Sequence, residues 1–336
     1  MSTPTCSICI ANFNGEHMLD DCLRSVYSQI GGLDVEVIVH DDASTDGSLG
    51  LLAKNHPQVR VITSTENVGF CVANNRMADA ARENYLLLNN DAALDTDALQ
   101  TLLSEAIRIG GDAILTLPQR DWETGIEVDR GCFLDVFNNP VPNASPLRAD
   151  VAYVVGACLW IPRALWHVLG GFPAWFGSLA EDAYLCCAAR LRGIPVRCLT
   201  DSGYRHRQGA SFGGNRVSAG KLQTTIRRRF LSERNKVAIL VVCMPTFFVW
   251  GLLAIHVALL LVEGVLMSLL RMDAGIFGKI YGPVLVYACR APFTLRQFRN
   301  EMQAKRCVSL REYLRTFTWM PRKLSLLWRH GVPEVR

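Results

Sequence analysis

The first 120 residues alternate short apolar runs with amphipathic segments, and this alternation limits the possible folds more than any other feature. Strands are predicted where apolar residues cluster, at Cys6–Ile10, Val35–Val39, Val59–Ile62, Tyr85–Leu88 and Ala113–Leu117. Between the first two strands, apolar residues from Leu19 to Ile30 recur at helical intervals of three and four. Such alternation is typical of right-handed βαβ units and a mostly parallel sheet. Ligands bind these sheets at the carboxyl ends of strands, so the residues after each strand are the candidates for a site.

The chain after this region is less regular. Residues 118–150 are rich in Asn, Pro and Asp and are predicted to form an irregular excursion over the surface. A strand is predicted at Tyr153–Ile161, a helix beginning near Glu181, and a further strand at Val196–Leu199. The sequence therefore predicts that the α/β domain continues well past residue 120.

An uncharged apolar stretch marks the last third of the chain. Residues 237–262 contain no Asp, Glu, Lys or Arg, and this length exceeds what a membrane-spanning helix requires. Basic residues flank both sides of the stretch, which argues against a single clean crossing under the positive-inside rule. A re-entrant hairpin bent at Pro245 and Gly251, helices lying in the headgroup layer, and a buried soluble subdomain all stay open.

Charge is distributed unevenly along the chain. The net charge is +4, yet from Arg271 to the end there are 13 Lys and Arg against 4 Asp and Glu. Because the basic part adjoins the apolar part, an anionic membrane surface is favoured over nucleic acid as the partner, although a basic tail that binds nothing fits as well. The expected organisation is a domain at 1–215, a basic linker at 216–236 and a membrane-associating helical region at 237–336.

The cysteines and the N-terminus favour a cytosolic compartment. Cys6 and Cys9 lie in a predicted apolar strand and are interpreted as small core residues with reduced thiols. The first residues show no basic segment followed by a long apolar one, so no signal peptide is predicted.

Acidic and hydroxyl side chains follow the second predicted strand, from Asp41 to Ser48. Asp41 and Asp42 offer acceptors, and Ser44 and Thr45 offer hydroxyl groups, which together suit a nucleobase and a ribose. A carboxylate accepts the N3–H of uracil or thymine, a contact that an adenine-specific pocket does not require. A turn that caps the next helix explains the same residues equally well.

The segment Leu88-Asn89-Asn90-Asp91-Ala92 follows the fourth predicted strand. An acidic group here, opposite a nucleotide, is well placed to hold Mg²⁺ or Mn²⁺, because these ions take further ligands from phosphate oxygens and water. Such a cation offsets the charge that grows on a leaving diphosphate. An ordinary polar turn is the alternative.

Further candidates lie between residues 175 and 206. Glu181 and Asp182 stand at a predicted helix start, where negative charge is favoured, and one carboxylate could take the proton of an acceptor hydroxyl. Trp175 and Phe176 precede them and are candidates to stack on an acceptor sugar or to pack in the core. His206 could complete a metal site or lie on the surface as an ordinary loop residue.

In these residues the chain resembles the family 2 glycosyltransferases, over roughly residues 5–215. The matching motifs are Ser7-Ile8-Cys9-Ile10-Ala11-Asn12-Phe13-Asn14-Gly15, Asp41-Asp42-Ala43-Ser44-Thr45-Asp46-Gly47, Asn67-Val68-Gly69-Phe70 with Asn74-Asn75, Leu88-Asn89-Asn90-Asp91-Ala92, Gly156-Ala157, Gly170-Gly171-Phe172, Glu181-Asp182 and His206 with Gly209 and Ser211. The resemblance implies a GT-A fold, which is a Rossmann-like α/β fold with a mostly parallel sheet flanked by helices.

The resemblance also implies roles. The nucleotide-sugar pocket is implied to be lined by Ala11, Asn12, Asn14, Asp41, Asp42, Asn67, Gly69, Asn75 and Asn90. Asp91 is implied to be the metal-bound member of a DxD-type motif, with Asn89 where the family often has Asp. Asp182 is implied to be the general base, Glu181 a neighbour that positions it or the acceptor, and His206 a metal or diphosphate ligand. The family implies inversion by direct displacement, with no covalent intermediate.

One departure narrows the class. Processive synthases of the family carry a QxxRW motif after the base, whereas this chain has Gln223-Thr224-Thr225-Ile226-Arg227, so transfer of a single sugar is expected. The layout resembles bacterial rhamnosyltransferase-like enzymes that build O-antigen, capsule or cell-wall glycans. This implies a dTDP- or UDP-sugar donor, a glycan or polyprenyl-diphosphate-linked acceptor, and a place at the cytoplasmic face of the inner membrane.

Two other functions are weighed against this one. A sugar-nucleotide pyrophosphorylase would carry a Gly-rich triphosphate loop, which the segment 10–15 lacks. A membrane scaffold that keeps the fold without the chemistry is disfavoured because Asp91, Asp182 and His206 are all present. Donor, acceptor, linkage and oligomeric state are not encoded in these motifs.

Overall fold

A computed structural model describes residues 5–207, 209, 214–218, 221–331 and 334–335. The chain divides into two compact units. Unit 1 is drawn from residues 1–132, 142–189 and 194–208, and unit 2 from residues 133–141, 190–193 and 209–336. The predicted domain limits at 215 and 236 stay predictions.

Strands and helices alternate through the first 208 residues. The strands are β1 (Thr5–Asn12), β2 (Asp34–Asp41), β3 (Arg60–Thr63), β4 (Asn84–Asn89), β5 (Ala92–Leu94), β6 (Ile114–Thr116), β7 (Gln119–Asp121), β8 (Glu127–Asp129), β9 (Cys132–Asp135), β10 (Pro140–Pro142), β11 (Cys158–Pro162), β12 (Val196–Cys198) and β13 (Tyr204–His206). The helices are α1 (Glu16–Tyr27), α2 (Ser48–Asn55), α3 (Phe70–Ala80), α4 (Ala98–Ile109), α5 (Arg163–Leu169) and α6 (Glu181–Leu191), with a 3₁₀ turn at Ala174–Phe176.

The main sheet of unit 1 has seven strands in the order β12-β6-β11-β4-β1-β2-β3. β1 lies parallel to both β2 and β4, and β11 is antiparallel to β4 and β6. Ile8 and Ile10 of β1 are fully buried, as are Leu86 and Leu88 of β4 to within 1%. Burial of each such side chain stabilises the fold by about 1.5–3 kcal/mol. The predicted mostly parallel α/β sheet is confirmed.

The region predicted to be irregular, residues 118–150, is more ordered than expected, so that prediction was wrong. β7 and β8 form a hairpin whose turn contains Gly125 at φ +68°, and they join a second sheet in the order β5-β13-β7-β8. Strands of three residues give too short a pattern to be seen in the sequence. The strand predicted at Tyr153–Ile161 is likewise reduced to β11, which begins at Cys158.

Unit 2 is mostly helical. Its helices are α7 (Ile226–Cys243), α8 (Val249–Arg271), α9 (Ala274–Ile276), α10 (Gly282–Thr294), α11 (Arg296–Ala304), α12 (Leu310–Tyr313) and α13 (Arg322–His330), with a π-helical turn at Phe277–Tyr281 and a 3₁₀ turn at Leu314–Thr316. Its further strands are β14 (Gly214–Ser218), β15 (Lys221–Thr224), β16 (Phe317–Thr318) and β17 (Glu334–Val335). The apolar stretch 237–262 is divided between α7 and α8, with Pro245 in the loop between them and Gly251 inside α8. Of the two bends considered for a re-entrant hairpin, only the one at Pro245 falls between helices, and the three alternatives for this stretch stay predictions.

Buried charges hold the helices of unit 2 together. Glu233 of α7 is fully buried and accepts hydrogen bonds from the Nζ atoms of Lys236 and Lys323, each at 2.9 Å. Glu263 of α8 is bonded to Arg229 and accepts from Lys323 Nζ at 2.7 Å. A buried carboxylate is tolerated only when it is paired, so these contacts fix how α7, α8 and α13 pack.

Gly264 of α8 lies close against the side chain of Tyr281. An added Cβ at Gly264 would lie 2.7 Å from Cβ and Cγ of Tyr281. We therefore expect Gly264→Ala to lower stability by about 1–3 kcal/mol through overpacking, less up to about 1 kcal/mol of gained helix propensity. The melting temperature of the full chain, measured in a fixed detergent, should fall by several degrees.

Gly251, in the same helix, is the matched control. A Cβ there meets no atom within 4 Å, so Gly251→Ala should leave the melting temperature unchanged or raise it. Equal melting temperatures for the two variants would show that α8 does not pack on Tyr281 as described.

Candidate active site

Asn12, the last residue of β1, connects three strand ends of unit 1. Its side chain donates to Asp41 Oδ1 at 3.1 Å and to Ser44 Oγ at 3.3 Å, and its Oδ1 accepts from Asn90 Nδ2 at 2.8 Å. Asn12 is 1% exposed. The predicted nucleotide segment after β2 and the predicted metal segment after β4 therefore meet at the end of β1.

Asp42 fixes the loop that leads into α3. Its two carboxylate oxygens accept the backbone N–H groups of Val68 and Gly69, each at 2.8 Å, and its side chain is buried. Gly69 has φ +84°, which a glycine adopts without the cost that a side chain would bring. Asp42 thus shapes the wall of the predicted pocket.

The other predicted nucleotide-sugar residues differ in how far they face solvent. Asn14 and Asn67 are exposed and Ala11 is half-buried. Asn75 uses both ends of its amide within the protein, donating to Phe172 O at 2.8 Å and accepting from Phe172 N at 3.0 Å. Asn14 and Asn67 are therefore the members freest to meet a ligand directly, and the assignment of the whole set stays a prediction.

Asp91 and His206 come together although 115 residues separate them. β13 pairs antiparallel with β5 so that His206 lies opposite Ala92, and the Arg207 N–H donates to Asp91 O at 3.0 Å. Asp91 Oδ1 and His206 Nε2 are 3.0 Å apart, and both side chains are buried. The structure thus joins the two predicted metal ligands, while Ser211 of the same motif lies outside the described residues.

The donor set at Asp91 and His206 suits a divalent cation that shares its shell with a ligand. Among the residues that the structure describes, no group of three or more His, Cys, Asp or Glu side chains gathers where it could hold a metal. Two ligands at about 2.1 Å and a right angle lie about 3.0 Å apart, which is the separation seen here. One carboxylate and one imidazole leave most positions to phosphate oxygens and water, as Mg²⁺ and Mn²⁺ prefer.

Two polar residues of the β7–β8 hairpin also face this region, and the sequence reasoning missed them. Gln119 Oε1 lies 3.2 Å from His206 Nδ1 and accepts from the Tyr204 hydroxyl at 3.0 Å. Asp129 accepts from the Gly131 N–H at 2.7 Å, and burial raises its pKa. The turn signal at Thr124-Gly125 could have pointed to the hairpin, but nothing local indicates what it lies beside.

Asp182 lies in the first turn of α6, and the pKa of its carboxyl group is raised. Its oxygens accept the N–H groups of Gly156 at 3.0 Å and Ala183 at 2.7 Å, and part of the side chain stays exposed. Desolvation by the surrounding protein raises the pKa of Asp182 to about 6, and the Asp129 carboxylate acts in the same direction. The two backbone hydrogen bonds oppose this rise. A base with such a pKa is ionised at neutral pH and still accepts a proton readily.

The loop that leads into α6 has a strained backbone. Leu179 and Ala180 have φ values of +72° and +67°, a conformation that costs about 1–3 kcal/mol for each residue that is not glycine. Glu181 follows and is buried in the first helical turn beside Asp182. Strain of this kind is typical of positions that a functional site fixes.

The two aromatic acceptor candidates are not equivalent. Phe176 is fully buried and packs against Tyr184 with ring centroids 5.3 Å apart, whereas Trp175 is half-buried and touches Phe176 edge-on. Phe176 therefore serves packing in this structure. Trp175 is the ring that keeps a surface for stacking.

The fold and this order of polar strand ends define a GT-A protein. Residues 7–149, somewhat less than half of the chain, match the model of the family described as glycosyl transferase family 2.

Two relatives match about a third of the chain. Chondroitin synthase of Escherichia coli is 36% identical over 106 residues, which are 30% of this chain and 15% of that protein. An uncharacterized protein of Mycobacterium tuberculosis is 31% identical over 101 residues, 30% of this chain and 31% of that protein. The match thus spans less than a third of either relative.

Solved structures share the fold over most of the chain. GalNAc-T7, solved with UDP, GalNAc and Mn²⁺, superposes with a TM-score of 0.63 at 14% identity, covering 99% of this chain and 59% of that one. TarS of S. aureus gives 0.51 at 18% identity, covering 90% and 55%. At such identities the likeness concerns the fold alone.

The contacts of Asp42 predict a local change on substitution. In Asp42→Ala the N–H groups of Val68 and Gly69 lose their acceptor, so we expect their amide hydrogen exchange to speed up by tenfold or more, since each bond to a carboxylate is worth about 1.5–3 kcal/mol. Hydrogen exchange read by mass spectrometry on a peptide covering residues 64–70 measures this.

Asp34→Ala is the matched control, because Asp34 is an exposed carboxylate whose partner is Arg82. It should leave the exchange of that peptide unchanged. Unaltered exchange in Asp42→Ala would show that Asp42 does not anchor the loop.

Proposed function

We propose that this protein is an inverting glycosyltransferase that moves one sugar from a dTDP- or UDP-sugar to a hydroxyl group of a glycan or lipid-linked acceptor. One observation carries the proposal: Asp182, a carboxylate with a pKa near 6, lies in the same compact unit as the Asp91–His206 pair and the Asn12–Asp41 pocket. A base, a cation site and a nucleotide site are the parts that direct displacement at a sugar carbon needs.

The donor end is supported by the polar strand ends and by the neighbours. Asp41 and Ser44 meet at Asn12, and exposed Asn14 lies on the same loop system, with its N–H donating to Ser44 Oγ at 2.9 Å. GalNAc-T7 and TarS 1–349 are both solved with UDP. When bound, a Mg²⁺ or Mn²⁺ ion at Asp91 and His206 supplies positive charge that offsets the charge of the leaving diphosphate.

The acceptor end is assigned to Asp182, Glu181 and Trp175. Asp182 takes the proton of the acceptor hydroxyl as that oxygen attacks the anomeric carbon, and Trp175 offers a ring face to the acceptor sugar. A deoxyhexose such as rhamnose is the donor sugar that the sequence resemblance favours. Thermal shift with UDP, dTDP, GDP and their sugars, with and without Mn²⁺, tests the donor, and lack of donor hydrolysis with either metal would favour a scaffold role.

The raised pKa of Asp182 predicts a pH profile. The base must be ionised to act, so the wild-type transfer rate should be near its plateau at pH 7.5 and fall below pH about 6, by roughly tenfold per pH unit. Single-turnover rates between pH 5 and 8 measure this limb. A limb centred near the ordinary Asp value would show that another group sets the profile.

Asp182→Asn removes the base and tests the same assignment directly. Transfer should drop by about 10²–10⁴-fold, the range typical of a lost general base, while the affinity for the nucleoside diphosphate stays close to wild type. Wild-type transfer in this variant, with folding verified by its melting curve, would mean that Asp182 is not the base.

We further propose that the protein works at the cytoplasmic face of the membrane, bound through unit 2. Within the described residues, α8 is the one helix long and apolar enough to cross a bilayer. Its buried residues follow one stripe, Val249, Leu253, His256, Leu260, Gly264 and Met267. Before Arg271, its exposed last residue, the exposed large side chains of α8 are all apolar: Trp250, Ile255, Leu259, Leu261, Val262, Val265, Leu266, Leu269 and Leu270.

The polar groups of α8 support the same proposal. His256 is buried, and Glu263 is turned toward Arg229, Tyr281 and Lys323. A water-soluble helix shows the reverse arrangement, with charges outward and leucines inward. Ionisable groups that face the protein and apolar groups that face outward are typical of a helix in lipid.

The outward face of α8 predicts how binding can be removed. Leu259→Glu combined with Leu266→Glu should weaken binding to vesicles containing anionic lipid by tenfold or more, since burying each leucine is worth about 1.5–3 kcal/mol. Co-sedimentation of the full chain with phosphatidylglycerol vesicles measures this.

Ile107→Glu is the control, because Ile107 is an exposed apolar residue on α4 of unit 1. It should bind vesicles like the wild type. Equal loss in both variants, or no loss in the double variant, would assign membrane binding to another surface or to none.

A further inference from the structure

Gln119 is a buried amide that touches the predicted metal ligand but has no role in the function above. It is 1% exposed and is the first residue of β7. Because β7 pairs parallel with β13, Gln119 lies opposite Tyr204, and His206 lies opposite Asp121, two residues further along β7. Its Oε1 faces two donors, the Tyr204 hydroxyl at 3.0 Å and His206 Nδ1 at 3.2 Å.

The environment of this amide is unusual for a purely structural residue. The Gln119 Nε2 atom is buried and has no hydrogen-bond partner in the structure. A buried amide donor without a partner lowers the stability of a fold by about 1–3 kcal/mol, so Gln119 is kept at this position at the expense of stability. Its Oε1 atom is a hydrogen-bond acceptor that faces His206 Nδ1.

We infer that Gln119 is a positioning residue that holds the proton of His206 on Nδ1 and so directs the Nε2 lone pair toward a divalent cation shared with Asp91. Neutral imidazole carries its proton on one nitrogen, and the hydrogen bond made by that nitrogen decides which. With Nδ1–H donated to Gln119, Nε2 would be free to bind a cation together with Asp91, whose Oδ1 lies 3.0 Å away. Without a cation, a proton on Nε2 occupies this contact, because a carboxylate only accepts hydrogen bonds. Tyr204 orients the amide, because its hydroxyl donates to the same oxygen.

This inference rests on the proposed metal-assisted function, and its first test reads the proton position with Mg²⁺ and UDP present. In the full chain labelled with ¹⁵N-histidine, at one fixed pH, His206 should then carry its proton on Nδ1 in the wild type. Gln119→Met keeps the length of the side chain and removes the acceptor, so at the same Mg²⁺ concentration the proton should stay on Nε2 and be donated to Asp91. Gln119→Glu keeps an acceptor and should retain the wild-type pattern. The His206 signals are assigned with His206→Gln.

The second readout is metal affinity. Mn²⁺ is titrated into each protein with UDP or dTDP present, and free Mn²⁺ is followed by electron paramagnetic resonance. The Kd for Mn²⁺ should rise by about 10–100-fold in Gln119→Met, the usual cost of losing the partner of a metal-bound histidine. It should stay close to wild type in Gln119→Glu. Thr116→Val, which removes another buried hydrogen bond of unit 1, that to Cys158 O, controls for general destabilisation.

The outcomes separate the two proposals. An unchanged proton position and unchanged Mn²⁺ affinity in Gln119→Met would overturn the role of Gln119. Equal loss in Gln119→Met and Gln119→Glu would also overturn it, because the amide would then act as a donor to His206. A wild type that binds no Mn²⁺ with either nucleotide would refute the proposed metal site and the role of Gln119 with it, whereas Mn²⁺ binding that is equally tight in the wild type and in Gln119→Met would refute the role of Gln119 alone.

Discussion

The hydrogen bonds of the Asn12 side chain are the interaction on which the site depends. β1 lies between β2 and β4, and at its end Asn12 binds Asp41, Ser44 and Asn90. A buried amide that loses a partner costs about 1–3 kcal/mol, so the three segments keep their relative register. The predicted pocket wall after β2 and the predicted cation site after β4 are thereby placed against each other.

The parallel strands and their polar ends could be predicted because the signal for each lies in a few consecutive residues. β1, β2 and β4 are runs of apolar residues, and their ends at Asn12, Asp41 and Asn89 are where polar residues begin. The β7–β8 hairpin could not be predicted, since its strands have three residues each and pair with a strand formed about 85 residues later. Gln119 was missed for that reason alone.

The positions of the candidate residues relative to strand ends and helix starts could be predicted from the sequence, but their environments could not. Asp91 follows β4 and Asp182 begins α6 as expected, whereas only the structure shows that the pKa of Asp182 is raised, that Phe176 is buried and that the Asn75 amide is bonded to the Phe172 backbone. For the apolar run 237–262, too, the orientation of the side chains could not be predicted from the sequence. Its composition does not reveal that α7 buries its share in unit 2 while α8 turns its leucines outward.

The left-handed pair Leu179 and Ala180 has a consequence for how this protein can change. Glycine at either position would relieve the backbone and widen the conformations open to the turn, so the folded chain would lose strain and the following carboxylates would lose a fixed starting point. Selection for thermal robustness and selection for rate therefore act in opposite directions on these two residues. A search for stabilised variants should therefore find large gains in the free energy of unfolding at Leu179 and Ala180, in the turn whose rigidity fixes Glu181 and Asp182.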